Sequence, residues 1–97
     1  MQTITLFGTI VPYEDGFETW YINVDEEGFF IQHLTSNDDK RSVYRLNYAK
    51  HHRDAVVALK ELLRIRGVKD DTLNNKIDSE ALRMDIAFGN ITGELLN

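Results

Sequence analysis

The chain has 97 residues, of which 42% are hydrophobic and 28% are charged, and its formal net charge is −5. These values are typical of one globular domain, taken as residues 1–97, and exclude an intrinsically disordered chain. The sequence contains no cysteine, which excludes disulfides, thiolate catalysis and Cys-ligated zinc, and no apolar run approaches the roughly 20 residues of a membrane span.

The first half of the sequence is typical of β-structure, because β-branched and aromatic residues alternate with polar ones. Strands are predicted over residues 3–11, 17–24 and 28–34, with a shorter fourth strand over 42–46. Pro12 is expected to end the first strand, since proline cannot donate a hydrogen bond to a neighbouring strand. Short acidic turns at 14–16 and 25–28 favour an antiparallel meander, with the two turns at opposite ends of the second strand.

The same alternation predicts which side of the sheet is buried. The expected core face consists of four apolar residues: Ile4, Leu6, Trp20 and Ile22. Phe7 and Tyr21 then lie on the opposite face. Apolar groups on both faces are typical of a sheet that is covered on both sides, by a helix or by a second copy. The alternative is a sheet-surface binding platform.

The second half has the periodicity of two helices. Asn47 is a suitable N-cap for a helix over 48–66, and Gly67 is placed to end that helix. Its apolar face consists of Ala55, Val56, Leu59, Leu62 and Leu63. A second helix is predicted to begin with Asp78 or Ser79 as N-cap. Its apolar stripe consists of Ile77, Ala81, Met84, Phe88, Ile91 and Leu95. The predicted fold is α+β: a three- to four-stranded antiparallel meander followed by two α-helices, in the order ββββαα.

Charge is sorted along the chain, which bears on partners rather than on fold. The first 39 residues contain eight acidic residues and neither Lys nor Arg, whereas residues 40–69 have a net charge of +7. The acidic turns and neighbouring aromatic side chains form a candidate surface for a protein partner: Glu14, Asp15, Glu18, Tyr21 and Phe7. The alternative is that these carboxylates are ordinary solubilising groups in turns.

The basic segment is a second candidate site. Helical spacing places four cations in one stripe on the predicted 48–66 helix: Lys50, Arg53, Lys60 and Arg64. Such a stripe suits the phosphates of nucleic acid or an acidic protein surface. The alternative is a solvated helix face that neutralises the chain's own acidic turns. A third hypothesis is an interaction module that forms a homodimer through the stripe from Ile77 to Leu95.

The sequence offers no motif for catalysis or for cofactor binding. His51 and His52 are adjacent, so on a helix they point about 100° apart and cannot chelate one ion together. No serine lies in a Gly-x-Ser-x-Gly elbow, and no glycine-rich loop is suited to a phosphate. We therefore expect a protein that is not an enzyme and has no catalytic residue, cofactor or metal.

Two stretches resemble small accessory proteins of temperate enterobacterial phages. The first runs from Thr5 through Pro12-Tyr13 to Asp25, and the second is the ending Leu82–Gly93. The resemblance carries no assigned chemistry, so it gives no residue a role. It implies a protein of the bacterial cytoplasm that binds a host protein, such as a defence or nucleic-acid-handling factor, and modulates or inhibits it.

Overall fold

The computed structural model describes the backbone of residues 2–13, 16–36 and 40–96, with side chains as far as residue 86. Its elements are β1 (Ile4–Tyr13), β2 (Gly16–Asp25), β3 (Gly28–Thr35), β4 (Arg41–Arg45), α1 (His52–Ile65) and α2 (Asp71–Leu96). The α+β class and the ββββαα order are confirmed. The chain groups into two compact units, Met1–Ala55 and Val56–Asn97. That residues 1–97 form a single domain stays a prediction.

The first unit contains a four-stranded antiparallel sheet in the order β1-β2-β3-β4. A turn at Glu26 and Glu27 joins β2 to β3. The Oδ1 atom of Asp25 accepts a 2.9 Å hydrogen bond from the Glu27 N–H, an Asx-type turn contact. Gly28 follows with a φ of 117°. Glycine adopts this backbone conformation without strain because it has no Cβ atom. The local sequence thus determines this turn.

β1 continues past its predicted end. Pro12 pairs with Phe17, and Tyr13 pairs with Gly16, so the expectation that Pro12 ends the strand is wrong. β1 lies at an edge of the sheet. An edge strand tolerates proline, because one side of its backbone has no neighbouring strand that needs an N–H group.

The buried side of the sheet is centred on β2 and β3, and the alternation predicted for β2 is confirmed. Trp20 is 1% exposed, and both Ile22 and Ile31 are fully buried. The expected contribution from β1 is wrong, because Ile4 is 56% exposed and Leu6 is only partly buried.

Ile4 lies opposite Val24 on the Trp20 side, as predicted, and is exposed at the start of the strand. A β-bulge explains the difference at Leu6 and Phe7. Thr5 pairs with Asn23, but the next paired residue is Phe7, which lies opposite Ile22. Leu6 is therefore an extra residue, and the alternation of side chains shifts at that point. Phe7 consequently lies on the buried side, where it is 5% exposed, and not on the outer face as predicted.

α1 begins at His52, later than predicted. The Oδ2 atom of Asp54 accepts a 3.2 Å hydrogen bond from the His51 N–H, and the Nδ1 atom of His51 accepts one of 3.2 Å from the Arg53 N–H. This pair resembles a capping box with His51 at the N-cap and Asp54 at the third helical position, except that the His51 side chain accepts from the second helical residue. Asn47 lies in a preceding turn, so its predicted role as N-cap is wrong.

Gly67 ends α1, as predicted. It has a φ of 92°, and its N–H bonds to the carbonyl of Arg64 at 3.0 Å while the Val68 N–H bonds to that of Leu63 at 2.9 Å. These two bonds form a Schellman motif, which favours glycine at its left-handed position.

α2 begins at Asp71, well before the predicted N-cap at Asp78 or Ser79. Asp70 is the actual cap, since its Oδ1 atom accepts a 3.2 Å hydrogen bond from the Leu73 N–H. The prediction was wrong because an aspartate eight residues before Asp78 already satisfies the first turn.

The apolar stripe of α2 is buried over the part of it that the structure describes. Ile77 is 1% exposed and Met84 is 6% exposed, while Ala81 is partly buried. The side chains of the remaining stripe residues lie outside the described part: Phe88, Ile91 and Leu95.

Candidate protein-binding surfaces

The structure does not bring the predicted acidic and aromatic surface together. Glu14 and Asp15 lie outside the described residues. Glu18 is only 1% exposed and Phe7 only 5%, because the pairing of β1 with β2 places both on the buried side. Tyr21 lies opposite Gly8 on the other side of the sheet and is partly exposed. Glu18 and Phe7 are therefore wrong as residues of an exposed interface.

A buried polar cluster occupies the position that sequence reasoning gave to an exposed carboxylate. The Oε2 atom of Glu18 lies 2.8 Å from Nε2 of His33, and the two side chains are 1% and 7% exposed. The atoms are at ion-pair distance but are not aligned as a hydrogen bond. Trp20 stacks on His33 with ring centroids 4.0 Å apart and an interplanar angle of 12°. The arrangement is a buried carboxylate–imidazole contact beside a stacked aromatic ring.

Chemically, a Glu–His pair can shuttle a proton, but it must reach a substrate to do so. Both side chains of this pair are almost inaccessible, so its role in this conformation is structural. The signal for burial was present in the sequence. Glu18 has the same strand parity as Trp20 and Ile22, and strict alternation sends all three to one face.

The second acidic turn is neutralised within the first unit. Arg45 donates from Nη1 and Nη2 to the two carboxylate oxygens of Asp25 at 2.9 and 2.6 Å, and its Nη2 lies 3.6 Å from Glu27. The hydrogen bonds between Arg45 and Asp25 lower the pKa of the carboxyl group and raise the pKa of the guanidinium. The guanidinium also lies 4.4 Å from the ring centre of Phe30. The carboxylates of this turn are therefore already paired with Arg45.

The basic stripe is interrupted. Lys50 precedes α1, and Arg53 lies in its first turn. Lys60 forms a 2.7 Å ion pair with Asp78, and Arg64 pairs with Glu61. The hydrogen bond from Arg64 lowers the pKa of Glu61.

The groove beside Lys60 and Arg64 has mixed charge. Lys69, Glu61, Asp70 and Asp71 also line it. A phosphate backbone would meet carboxylates as well as cations there, which opposes the electrostatic attraction that nucleic-acid binding requires.

The side of the sheet opposite Trp20 carries exposed apolar groups, and we call it the open face. Its members follow from the strand register: Ile10, Phe17, Thr19, Tyr21, Gln32, Leu34, Arg41 and Val43. Ile10 is 65% exposed, Phe17 is 56% exposed and Val43 is 52% exposed. They come from β1, β2 and β4, while Gln32 and Leu34 of the intervening β3 are partly buried.

The ring of Tyr21 fills the space that Gly8 leaves on the open face. A Cβ atom at Gly8 would lie 2.9 Å from Cδ1 of Tyr21, so only glycine allows this packing. At one end of the same side, Thr5 donates a 2.7 Å hydrogen bond to Asn23, whose amide donates one of 3.2 Å to Gln32. Polar groups are thus paired at that end, where Phe30 lies opposite Asn23 and is only 8% exposed. The exposed apolar groups lie away from this end.

A scan against protein-family models finds no matching family, and searches of curated proteins and of solved structures find no significant match. Over the described residues, neither helix combines the length and the apolar character that crossing a membrane requires.

Proposed function

We propose that this protein is a non-enzymatic accessory protein that binds another protein through the open face of its sheet. The observation that carries the proposal is the exposure of Ile10, Phe17 and Val43 on one face, each more than half accessible. Single exposed apolar residues are normal on any protein surface. Several exposed apolar side chains on one face of a sheet are a stronger indication of an interaction site.

The proposed partner is a host protein of the bacterial cytoplasm, which the resemblance to phage accessory proteins implies. Binding would modulate or inhibit that protein. The burial of Glu18 and Phe7 moves the proposed contact away from the acidic turns. Tyr21 remains in it, and Ile10 and Val43 join it.

The alternative functions receive less support. A nucleic-acid-binding regulator would need the cations of α1, but Lys60 and Arg64 already pair with carboxylates. A homodimer through the α2 stripe would need Ile77 and Met84 to be accessible, whereas both are buried.

The test is a pull-down from enterobacterial lysate with and without nuclease, using Ile10→Lys and a matched control. Ile65→Lys makes the same change at a residue that is 68% exposed, against 65% for Ile10. We expect a protein that is retained in both nuclease conditions by the wild type and by the control, and that is lost with Ile10→Lys.

Three outcomes would contradict the proposal. Retention that nuclease abolishes would favour nucleic acid. Equal retention by all variants would remove the open face from the interface, and an empty eluate would argue against a partner in that lysate.

A further inference from the structure

The outer edge of β4 is a strand edge with no neighbour among the described strands. The sheet order ends at β4, which pairs only with β3. An edge strand directs alternate N–H and C=O groups away from the sheet, where they can pair with an added strand. Four of the five side chains of β4 are exposed, and Ser42 is partly buried. A fifth strand would thus meet accessible backbone and accessible side chains.

The charge of this edge is one-sided. Arg41 and Arg45 belong to β4, and no acidic residue occurs between residues 40 and 53. Arg45 is bound to Asp25, but Arg41 is exposed and has no ion-pair partner among the described residues. Arg41 and Val43 both point to the open face, since residues two apart on a strand share a face.

We infer that β4 accepts an extended acidic segment of a partner protein as a fifth strand. A carboxylate of that segment lies opposite Arg41, and an apolar side chain two residues along it lies opposite Val43. Opposite charges and apolar groups in directly facing positions stabilise strand pairing. The inference rests on the proposed protein-binding function and names the chemistry of the partner. The added strand would continue the open face beyond its present edge.

A second copy of this chain does not fit the same edge. Two β4 strands paired antiparallel about Val43 would place Arg41 of each opposite Arg45 of the other. Directly facing like charges destabilise strand pairs, and charged edges of this kind are a common protection against self-association. The same charges that exclude a second copy attract an acidic segment.

The test uses the full chain and a defined probe. A fluorescein-labelled nine-residue peptide with glutamate at its third and seventh positions, valine at the fifth and threonine elsewhere is titrated with protein, and anisotropy is measured. A peptide with lysine in place of glutamate is the charge control. Two further peptides carry N-methyl groups at the odd or at the even positions, because only alternate N–H groups of an added strand face its neighbour.

We expect the glutamate peptide to bind, the lysine peptide not to bind, and only one of the two N-methylated peptides to lose binding. Arg41→Glu should weaken binding about fivefold or more, since it replaces an attraction by a repulsion. Arg83→Glu makes the same charge change on α2, where Arg83 pairs with Glu80, and should leave binding unchanged.

No binding at millimolar protein concentration would overturn the inference. Equal losses for Arg41→Glu and Arg83→Glu, or unaffected binding of both N-methylated peptides, would do the same. These results are separable from the lysate experiment. A host protein lost with Ile10→Lys, with no peptide binding, would leave the proposed function standing and reject the edge site.

Discussion

Removing either member of the buried pair formed by Glu18 and His33 should strongly lower the free energy of unfolding. The two side chains are 1% and 7% exposed, and Oε2 of Glu18 lies 2.8 Å from Nε2 of His33. Glu18→Val leaves the imidazole without its carboxylate, and His33→Val removes the imidazole from beside a buried carboxylate. Removal of one member of a buried pair typically costs about 3–5 kcal/mol, a large share of the roughly 5–15 kcal/mol that stabilises a domain.

The double variant Glu18→Val/His33→Val should be far more stable than the single effects added together. Well-packed apolar residues often replace a buried ion pair at little or no cost, and valine suits a strand. The double variant loses the stacking of His33 on Trp20, which is worth about 0.5–1.5 kcal/mol for an aromatic pair. We therefore expect the double variant within about 2 kcal/mol of the wild type.

Urea unfolding measures these differences. Trp20 is the only tryptophan in the sequence and reports on the site directly, while far-ultraviolet circular dichroism gives a second probe that does not depend on the stacked ring. Glu61 and Arg64 provide an exposed control pair, with side chains 53% and 68% exposed, whose double-mutant cycle should show almost no coupling. Single variants that cost under about 1 kcal/mol, or strictly additive effects at Glu18 and His33, would refute the reasoning.

Three further predictions concern single positions. Trp20→Ala should cost about 3–5 kcal/mol, because Trp20 is 1% exposed; a thermal melt that matches the wild type would contradict its place in the core. Gly67→Ala should cost about 1–2 kcal/mol, since its φ is 92° and no atom lies within 4 Å of the added Cβ; urea unfolding would show a smaller loss for Gly67→Asn, which tolerates that conformation. Arg45→Gln should make the free energy of unfolding fall less steeply as the pH is lowered into the acid range. Arg45 lowers the folded pKa of Asp25 below its ordinary 3.8, so this stabilisation is present above that value and is lost as pH falls through the folded pKa. Urea midpoints measured from pH 6 to pH 2 should converge for the two proteins at the acid end, and a constant difference would argue against the pair.

Local patterns predicted most of the secondary structure. Strand alternation identified all four strands, and Gly67 identified the end of α1, because each depends on residues close in sequence. The helix starts are less predictable from local patterns. α1 is capped by His51, which is an unusual N-cap residue, and α2 is capped by Asp70 rather than by Asp78.

The candidate surfaces were predicted less well than the elements. Acidic residues near turns suggested an exposed patch, yet Glu18 turned out to be buried beside His33. Basic residues suggested a stripe, yet Lys60 pairs with Asp78, which lies 18 residues away. Ion pairs between distant segments leave no periodic signal in one sequence.

The sequence by itself determined the order of elements, the turn between β2 and β3 and the parity of β2, because these follow from steric preferences over a few residues. Only the tertiary structure decided which side of β1 is buried, since a single bulge at Leu6 reverses the alternation that the sequence suggests. It also decided that Asp25 is held by Arg45, and that Ile10 and Val43 share an exposed face. The register of strand pairing places residues that are far apart in the chain opposite each other. A shift of one residue therefore moves every later side chain to the other face.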